Sequence, residues 1–388
     1  MLSFLRRAVR PAALLAAALS LTGVVACTPV APIAAGPGDG GAVTVALLVP
    51  GGSGQATDDL LARSLQDAAR LAIADLGGAA RIDLRVYNTA GSPAQAQAVA
   101  VQAVGEGAEI ILGPLYAAEA NAVGAAVAGR GVSVLSFSNN TAIAGGNVFI
   151  LGQTFDSTAA RLARYAVRQG LGRIQVVHER TTAGEAGRAA IEAGVQRAGG
   201  TVAGVSNYEF SQNGIVAAVP GIVAQTRANG ANAVFLTADT AGALPLVTQL
   251  LADNGVDPSV TRFIGLTRWD IPAATLALPG VQGGWFALPD PGLYQQFTAR
   301  YQAAFGTAPM PISGLAYDGI AAIGALARGG RNLSPAALTQ GAGFAGVGGI
   351  FRFRSDGSNE RGLAVAQVRD SQVVVIDPAP RSFGGAGS

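Results

Sequence analysis

The stretch Glu109–Val127, EIILGPLYAAEANAVGAAV, decides the fold. A short apolar run ends in Gly113-Pro114, and a small-residue segment follows in which Ala120, Val123 and Val127 are spaced to bury one helical face. This is a strand–loop–helix unit. Pro114 suits the turn, because its fixed φ is already that of a turn or first helical residue and its missing N–H needs no partner there. The segment TVALLVPGGSGQATDDLLARSLQDAARLAI, from Thr44 to Ile73, has the same arrangement. Units of this kind stack into a parallel sheet, and loops at the carboxyl ends of its strands line a crevice into which helix N-termini point free N–H groups.

Working outward, Val43–Val49, Ile82–Tyr87, Ile110–Leu112 and Val132–Leu135 read as strands. They alternate with helical stretches at Asp58–Leu76, Pro93–Gly105 and Ala117–Gly129. After the polar turn Ser136–Gly146, the run Val148–Leu151 leads into a second series with strands at Ile174–His178, Val202–Ser206, Ala233–Thr237 and Arg262–Leu266. Its helices fall near Thr158–Gln169, Gly184–Ala198, Ile215–Ala228 and Ala243–Asp253. Beyond Val281–Phe286 come helical stretches Leu293–Phe305 and Ile312–Ala327. Finally Gly348–Arg354 and Gly362–Arg369 flank the turn Ser355–Ser358 as a hairpin. The predicted class is α/β, two Rossmann-like lobes with parallel sheets and a cleft between them.

The 388 residues are enough for two such lobes, and half are hydrophobic while 13% are charged. Arg6, Arg7 and Arg10 precede Pro11–Val25, an apolar run too short and Ala-rich to favour a membrane span, which reads as a secretory signal over residues 1–26. It ends Val24-Val25-Ala26-Cys27, similar to a bacterial lipobox, so Cys27 is expected to be the lipidated first residue of the mature protein. Residues 27–42 then form a flexible tether. All 26 basic residues are arginine; without the three in the signal, 23 face 24 acids, for a net charge of −1. That balance gives no basic surface for nucleic acid. The single cysteine excludes a disulfide framework.

These stretches resemble the type I periplasmic binding proteins, in particular the leucine/isoleucine/valine-binding group and its lipoprotein relatives. The marks, in the family's order, are TVALLVPGGSG, EIILGPLYAAEANAV, VSVLSFSNNTAIAG, RFIGLTRWD, GVQGGWFALPD and FTARYQAAFGTAPMPISGLAYDGIAAI, and the resemblance covers nearly all of the mature chain. It implies a chain that crosses between lobes three times. Lobe one is then 43–147 plus about 290–340, lobe two 148–289 plus about 341–378 with the final hairpin, and 379–388 a disordered tail. In amino-acid receptors of the family, hydroxyls and N–H groups after the third and fourth strands hold the carboxylate, and a second-lobe tyrosine and an acid hold the ammonium. Here Ala117 stands where a serine hydroxyl is usual, and the loop His178–Gly184 lacks the tyrosine. The lipobox, SFSNNTAIAG and WFALPD resemble the branch of lipoproteins that activate penicillin-binding proteins. That likeness implies a non-catalytic regulator of a peptidoglycan synthase, periplasmic and anchored by lipid, with the outer membrane favoured. The alternative is a receptor that passes an amino acid or short peptide to an ABC permease.

The loops just beyond the parallel strands nominate the cleft: Ser53 and Gln55, Tyr116 and Ala117, Ser136, Ser138 and Asn139, His178 and Glu179, Asp239, and Arg268, Trp269 and Asp270. Glu179 or Asp239 would meet an ammonium. Tyr116 either packs on lobe one or fills the cleft in place of ligand. His178 either touches ligand or is a core or surface histidine. Trp269 and Arg268 either face a sugar, peptide or carboxylate, or Trp269 packs beneath its loop while Arg268 pairs with Asp270. Enzyme chemistry lacks its parts: Gln55 replaces the last glycine of a G-x-S-x-G elbow, and one histidine supplies neither a triad nor a metal site. No lysine is present for a P-loop, and no cofactor or metal is expected.

Overall fold

Local signals open most helices where a strand leaves off. The Ser92 hydroxyl accepts the Gln95 amide ahead of Pro93, and Thr154, Thr181 and Ser211 cap later helices in the same way. The computed structural model describes residues 41–384. It begins β1 Val43–Val49, α1 Ala56–Asp75, β2 Ile82–Asn88, α2 Pro93–Gly105, β3 Ile110–Leu112, α3 Ala117–Val127, β4 Ser133–Ser136 and β5 Val148–Ile150. These five strands form one parallel sheet in the order β2-β1-β3-β4-β5, with Val45 opposite Ile110 and Leu112 opposite Leu135.

The chain continues α4 Phe155–Arg168, β6 Arg173–Glu179, α5 Thr182–Arg197, β7 Thr201–Tyr208, α6 Gln212–Ala228, β8 Ala233–Leu236, α7 Leu244–Asp253, β9 Arg262–Gly265 and β10 Trp285–Leu288. It closes with α8 Pro291–Phe305, α9 Gly314–Arg328, α10 Pro335–Leu338, β11 Phe344–Gly346, β12 Gly349–Phe353, β13 Asn359–Arg361, β14 Ala364–Arg369 and β15 Gln372–Asp377. The second sheet runs β15-β14-β10-β9-β8-β6-β7, parallel from β10 to β7, with β14 and β15 added antiparallel.

Each sheet is buried on both faces, as parallel strands require. In lobe one, Leu47 and Leu112 pack with Leu65 of α1, Phe297 of α8 and Ile320 of α9, while Ala46 and Ile111 face Val99 of α2 and Val123 of α3. In lobe two, α6 and α7 cover one face through Ile222 and Leu251, and α4 and α5 the other through Leu162 and Ile191. At about 1.5–3 kcal/mol for each fully buried large apolar side chain, these layers are the main source of stability. No helix among the described residues is long and apolar enough to cross a membrane.

Several expectations need correction. Val148–Ile150 does not open the second lobe; it pairs with β4 as the edge of the first sheet, so the crossover falls after it. The turn at Ser355–Ser358 joins β12 to β13, not to Gly362–Arg369, because the run breaks at Gly362-Leu363 and β14 turns away to pair with β10. The span 341–378 is therefore divided. Phe344, Phe351 and Phe353 of the small sheet β11-β12-β13 pack into the lobe-one core, whereas Ala364, Ala366 and Val368 pack into lobe two. Strand β15 was not anticipated. The tail is tied down over part of its length, since Ala379 is buried and the Arg352 guanidinium lies 4.6 Å from the Phe383 ring centre. Cys27, the signal and nearly all of the tether lie outside the described residues.

Candidate functional site

The chain passes between lobes after β5, after β10 and between β13 and β14, and each passage leaves or enters at the carboxyl edge of the parallel strands. The two carboxyl edges are thus the edges that the hinge joins. Arg361 locks this hinge. Its guanidinium pairs with the Asp318 carboxylate at 2.8 Å and donates to the Leu151 carbonyl, while the Asn359 amide donates to the carbonyls of Ile150 and Gly152.

On the lobe-one wall, Gly113 adopts a φ of 91°, and a Cβ there would lie 2.3 Å from the Leu48 carbonyl oxygen, so only glycine lets the turn pass so close to β1. The turn delivers Tyr116 to the N-cap of α3, 40% exposed, with its hydroxyl donating to Asp58 at 2.7 Å. That bond, burial and the Asp58 charge push the phenol up to about 12. Ser53 and Asp58 meet Tyr116 around Gly91, where an added Cβ would lie within 3.9 Å of all three. Gln55 is exposed at the N-cap of α1 and Ala117 is half-buried. Behind them Glu119 is 1% exposed, with neither oxygen in a hydrogen bond. Burial pushes this carboxyl up, and the nearby Asp58 charge adds to it. Thr89 and the Tyr116 backbone oppose the shift, although the Thr89 hydroxyl is already donated to the Val49 carbonyl.

The loop after β4 divides. Ser136 is fully buried and its hydroxyl is used, donating to the Pro114 carbonyl and accepting the Ser138 amide, so it locks the turn and does not face a ligand. Ser138 is 6% exposed and accepts the Asn140 amide; Asn139 is exposed.

On the lobe-two wall, register sets Glu179 at the end of β6 beside Tyr208 at the end of β7. The tyrosine hydroxyl donates to the carboxylate at 3.1 Å, and the Glu179 amide donates to the Thr237 hydroxyl. Burial pushes Glu179 up, opposed by the Tyr208 bond, and the charge of Asp239 adds to the rise. Tyr208 is pushed up as well, by burial first. Asp239 is exposed and flanks Gly242 together with Phe210, itself 57% exposed. His178 points the other way, as alternation along a strand requires. It is 2% exposed with Nδ1 3.1 Å from the Glu179 carbonyl oxygen and 3.7 Å from Glu185, so it is a core histidine.

Trp269 also proves structural. It is fully buried, stacked on Phe286, and fills space left by Gly265 and Gly284, where a Cβ would lie 2.2 Å from the indole. Arg268 forms a two-pronged pair with Asp270. Both line a recess of about 200 Å³ with Tyr294 and Gln295 of α8, so this loop meets lobe one at the hinge side. Asp58, Glu119, Tyr208, Phe210 and Tyr294 were missed from sequence. The available signal was that Glu179 and Tyr208 each end a strand, which becomes informative only once β6 and β7 are known to be neighbours.

Acidic residues gather at the two carboxyl edges: Asp58 and Asp59 are half-buried and Asp239 is exposed, while Glu119 and Glu179 are buried; Arg268 pairs with Asp270 and Arg180 with Glu209. Among the described residues no group of three or more His, Cys, Asp or Glu side chains is arranged to hold a metal ion.

The profile of the periplasmic binding protein family matches residues 42–372, and the chain belongs to that family, as a type I member. The chain is also similar to several solved structures. One is a putative branched-chain amino acid ABC transporter from Rhodospirillum rubrum, at 19% identity, with 86% of this chain and 100% of that one covered and a TM-score of 0.73. A second is a branched-chain amino acid ABC transporter periplasmic ligand-binding protein from Burkholderia xenovorans, at 18% identity, 88% and 97% coverage and TM-score 0.68. A third is an ABC transporter substrate-binding protein from Desulfitobacterium hafniense in complex with Leu, at 17%, 86% and 99%, and 0.63. At these identities the likeness shows the fold. No curated protein matches the sequence.

Proposed function

We propose that the protein is an extracytoplasmic solute receptor that hands a small ligand to an ABC permease, and that the ligand presents a cationic group to the cleft. The observation that carries this reading is the acid at both carboxyl edges, Asp58 with Tyr116 on one lobe and Glu179 with Tyr208 and Asp239 on the other. A carboxylate brought to the lobe-one wall would meet the negative charge of Asp58, and neither Ser136, whose hydroxyl is committed, nor Ala117 would donate to it. An unpaired charge in such a site costs several kcal/mol. An ammonium or guanidinium would instead be matched, and Phe210 supplies an aromatic face beside Asp239. Relatives of the same fold that bind solutes for ABC transport support the transport part of the reading.

The test is thermal stabilisation by a panel of diamines, polyamines, arginine, lysine and neutral amino acids at millimolar concentration. A micromolar site adds about 4 kcal/mol by mass action. Amines should shift the melting temperature and leucine or valine should not; a shift with leucine alone, lost in Ser138→Ala, would make this a branched-chain amino acid receptor.

A second reading, regulation of a peptidoglycan synthase, is favoured by one feature: the Tyr116 hydroxyl is already held by Asp58, so the lobe-one wall is closed by the protein's own side chain. Stimulation of a purified synthase by the protein, with no ligand from the panel binding, would select it. In both readings Cys27 carries a lipid that tethers the globule through residues 27–42, with the outer membrane favoured. Cys27→Ser is expected to release the protein from the membrane pellet; unchanged pelleting would refute the anchor.

A further inference from the structure

A second concavity lies on the outside of lobe two, away from the loops that crown the parallel strands. A groove of about 1040 Å³ runs along the outer face of α4, between the last turn of α5, the β12–β13 hairpin and the segment after β15. Because α4 and α5 run back from the carboxyl edge, their final turns, with Arg168 and Arg197, lie at the end of lobe two away from the hinge.

Seven arginines and four carboxylates line this groove. Arg161, Arg164 and Arg168 share one helix face by their spacing. Among the carboxylates, two are each divided between two guanidiniums: Asp377 pairs with both Arg161 and Arg168, and Glu360 with both Arg352 and Arg354. Asp356 is turned onto the amide and hydroxyl of Ser358. Arg164 and Arg197 have no carboxylate within ion-pairing distance among the described residues, and both border the groove. Arg161 is largely buried, its side chain 11% exposed, and burial pulls its guanidinium down against the opposing pull of Asp377. The Phe383 ring, beneath Arg352, gives one wall an apolar surface. The cavity thus holds a surplus of forked, planar donors on three elements, which matches phosphate and carboxylate oxygens in geometry as well as charge.

We propose that this groove binds a small polyanion carrying two or more phosphate or carboxylate groups, seated on Arg164 and Arg197 and reaching Arg168 and Arg354. The site is independent of the cleft and of the ligand proposed there. The hairpin that supplies Arg352 and Arg354 packs on the lobe-one core and α4 belongs to lobe two, so the bound anion spans both lobes.

The experiment is calorimetric titration of the full chain at low salt with inorganic tripolyphosphate and, separately, with citrate. At least one should bind saturably at one-to-one stoichiometry, and the tighter of the two identifies a phosphate or a carboxylate ligand. Arg164→Ala/Arg197→Ala should weaken binding by roughly tenfold or more, as expected for the loss of charge-assisted bonds. Arg63→Ala, an exposed arginine on α1, should leave it unchanged, and all variants should keep the wild-type circular dichroism because these side chains are exposed. Absence of saturable binding by either anion at millimolar concentration would overturn the proposal, as would equal affinity in the double variant or an equal loss in Arg63→Ala.

Discussion

Glu119 holds a carboxyl in the first turn of α3 where water does not reach and neither oxygen is hydrogen-bonded, and its pKa rises because burial disfavours the ion. The folded state therefore holds that proton more tightly than the unfolded chain, whose carboxyl titrates near about 4.3. Its contribution to stability is most favourable below that value and is lost as pH rises through the raised folded value. Glu119→Gln is accordingly expected to raise the melting temperature at pH 8 and to change it little at pH 4. A gap between variant and wild type that does not vary with pH would contradict the assignment. Trp269 belongs to the same scale. Trp269→Ala should cost about 3–5 kcal/mol in urea unfolding, the range for deleting a large buried aromatic. A loss of ligand binding with stability intact would return that residue to the cleft. From the sequence its two readings were balanced, because nothing within RFIGLTRWD tells that Gly265 and the distant Gly284 both leave room for one indole.

At the scale of elements, the hinge rests on side chains brought together from far apart along the chain. Arg361 on β13 and Asp318 on α9 are 9% and 2% exposed, and each makes a further bond, Arg361 to the Leu151 carbonyl and Asp318 from the Val347 amide. Removing one partner strands the other as a buried charge. Arg361→Ala or Asp318→Ala is expected to cost about 3–5 kcal/mol by chemical denaturation, and the double variant clearly less than the sum of the two. Additive losses would mean that the pair is not coupled. The same scale explains the misplaced hairpin. The turn Ser355–Ser358 is legible from its residues, but the length of the strand after it is set by where the chain must leave β12 to reach β10, and that depends on the sheet.

For the whole molecule, the proposed cationic ligand is expected to draw the lobes together, because it would be shared between acidic loops that belong to different lobes. Any amine that stabilises the protein should also reduce its radius of gyration in X-ray solution scattering. Glu179→Gln should weaken both effects together. Stabilisation without compaction would indicate binding to one lobe alone.

As far as α9, the order of the main strands and helices, most of their spans to within a few residues and the loops that crown the parallel strands were determined by the sequence itself. Apolar periodicity, Gly-Pro turns and hydroxyl caps act within a few residues, so each element carries its own signal. Tertiary structure alone decided that β5 completes the first sheet, that the C-terminal strands divide between lobes, that Tyr208 meets Glu179, and that Ser136, His178 and Trp269 turn away from the cleft. Those outcomes depend on which strands are neighbours and in what register. The contacts that settle them join residues as far apart as Ser157 and Asn359, 202 positions along the chain, where local patterning carries no information.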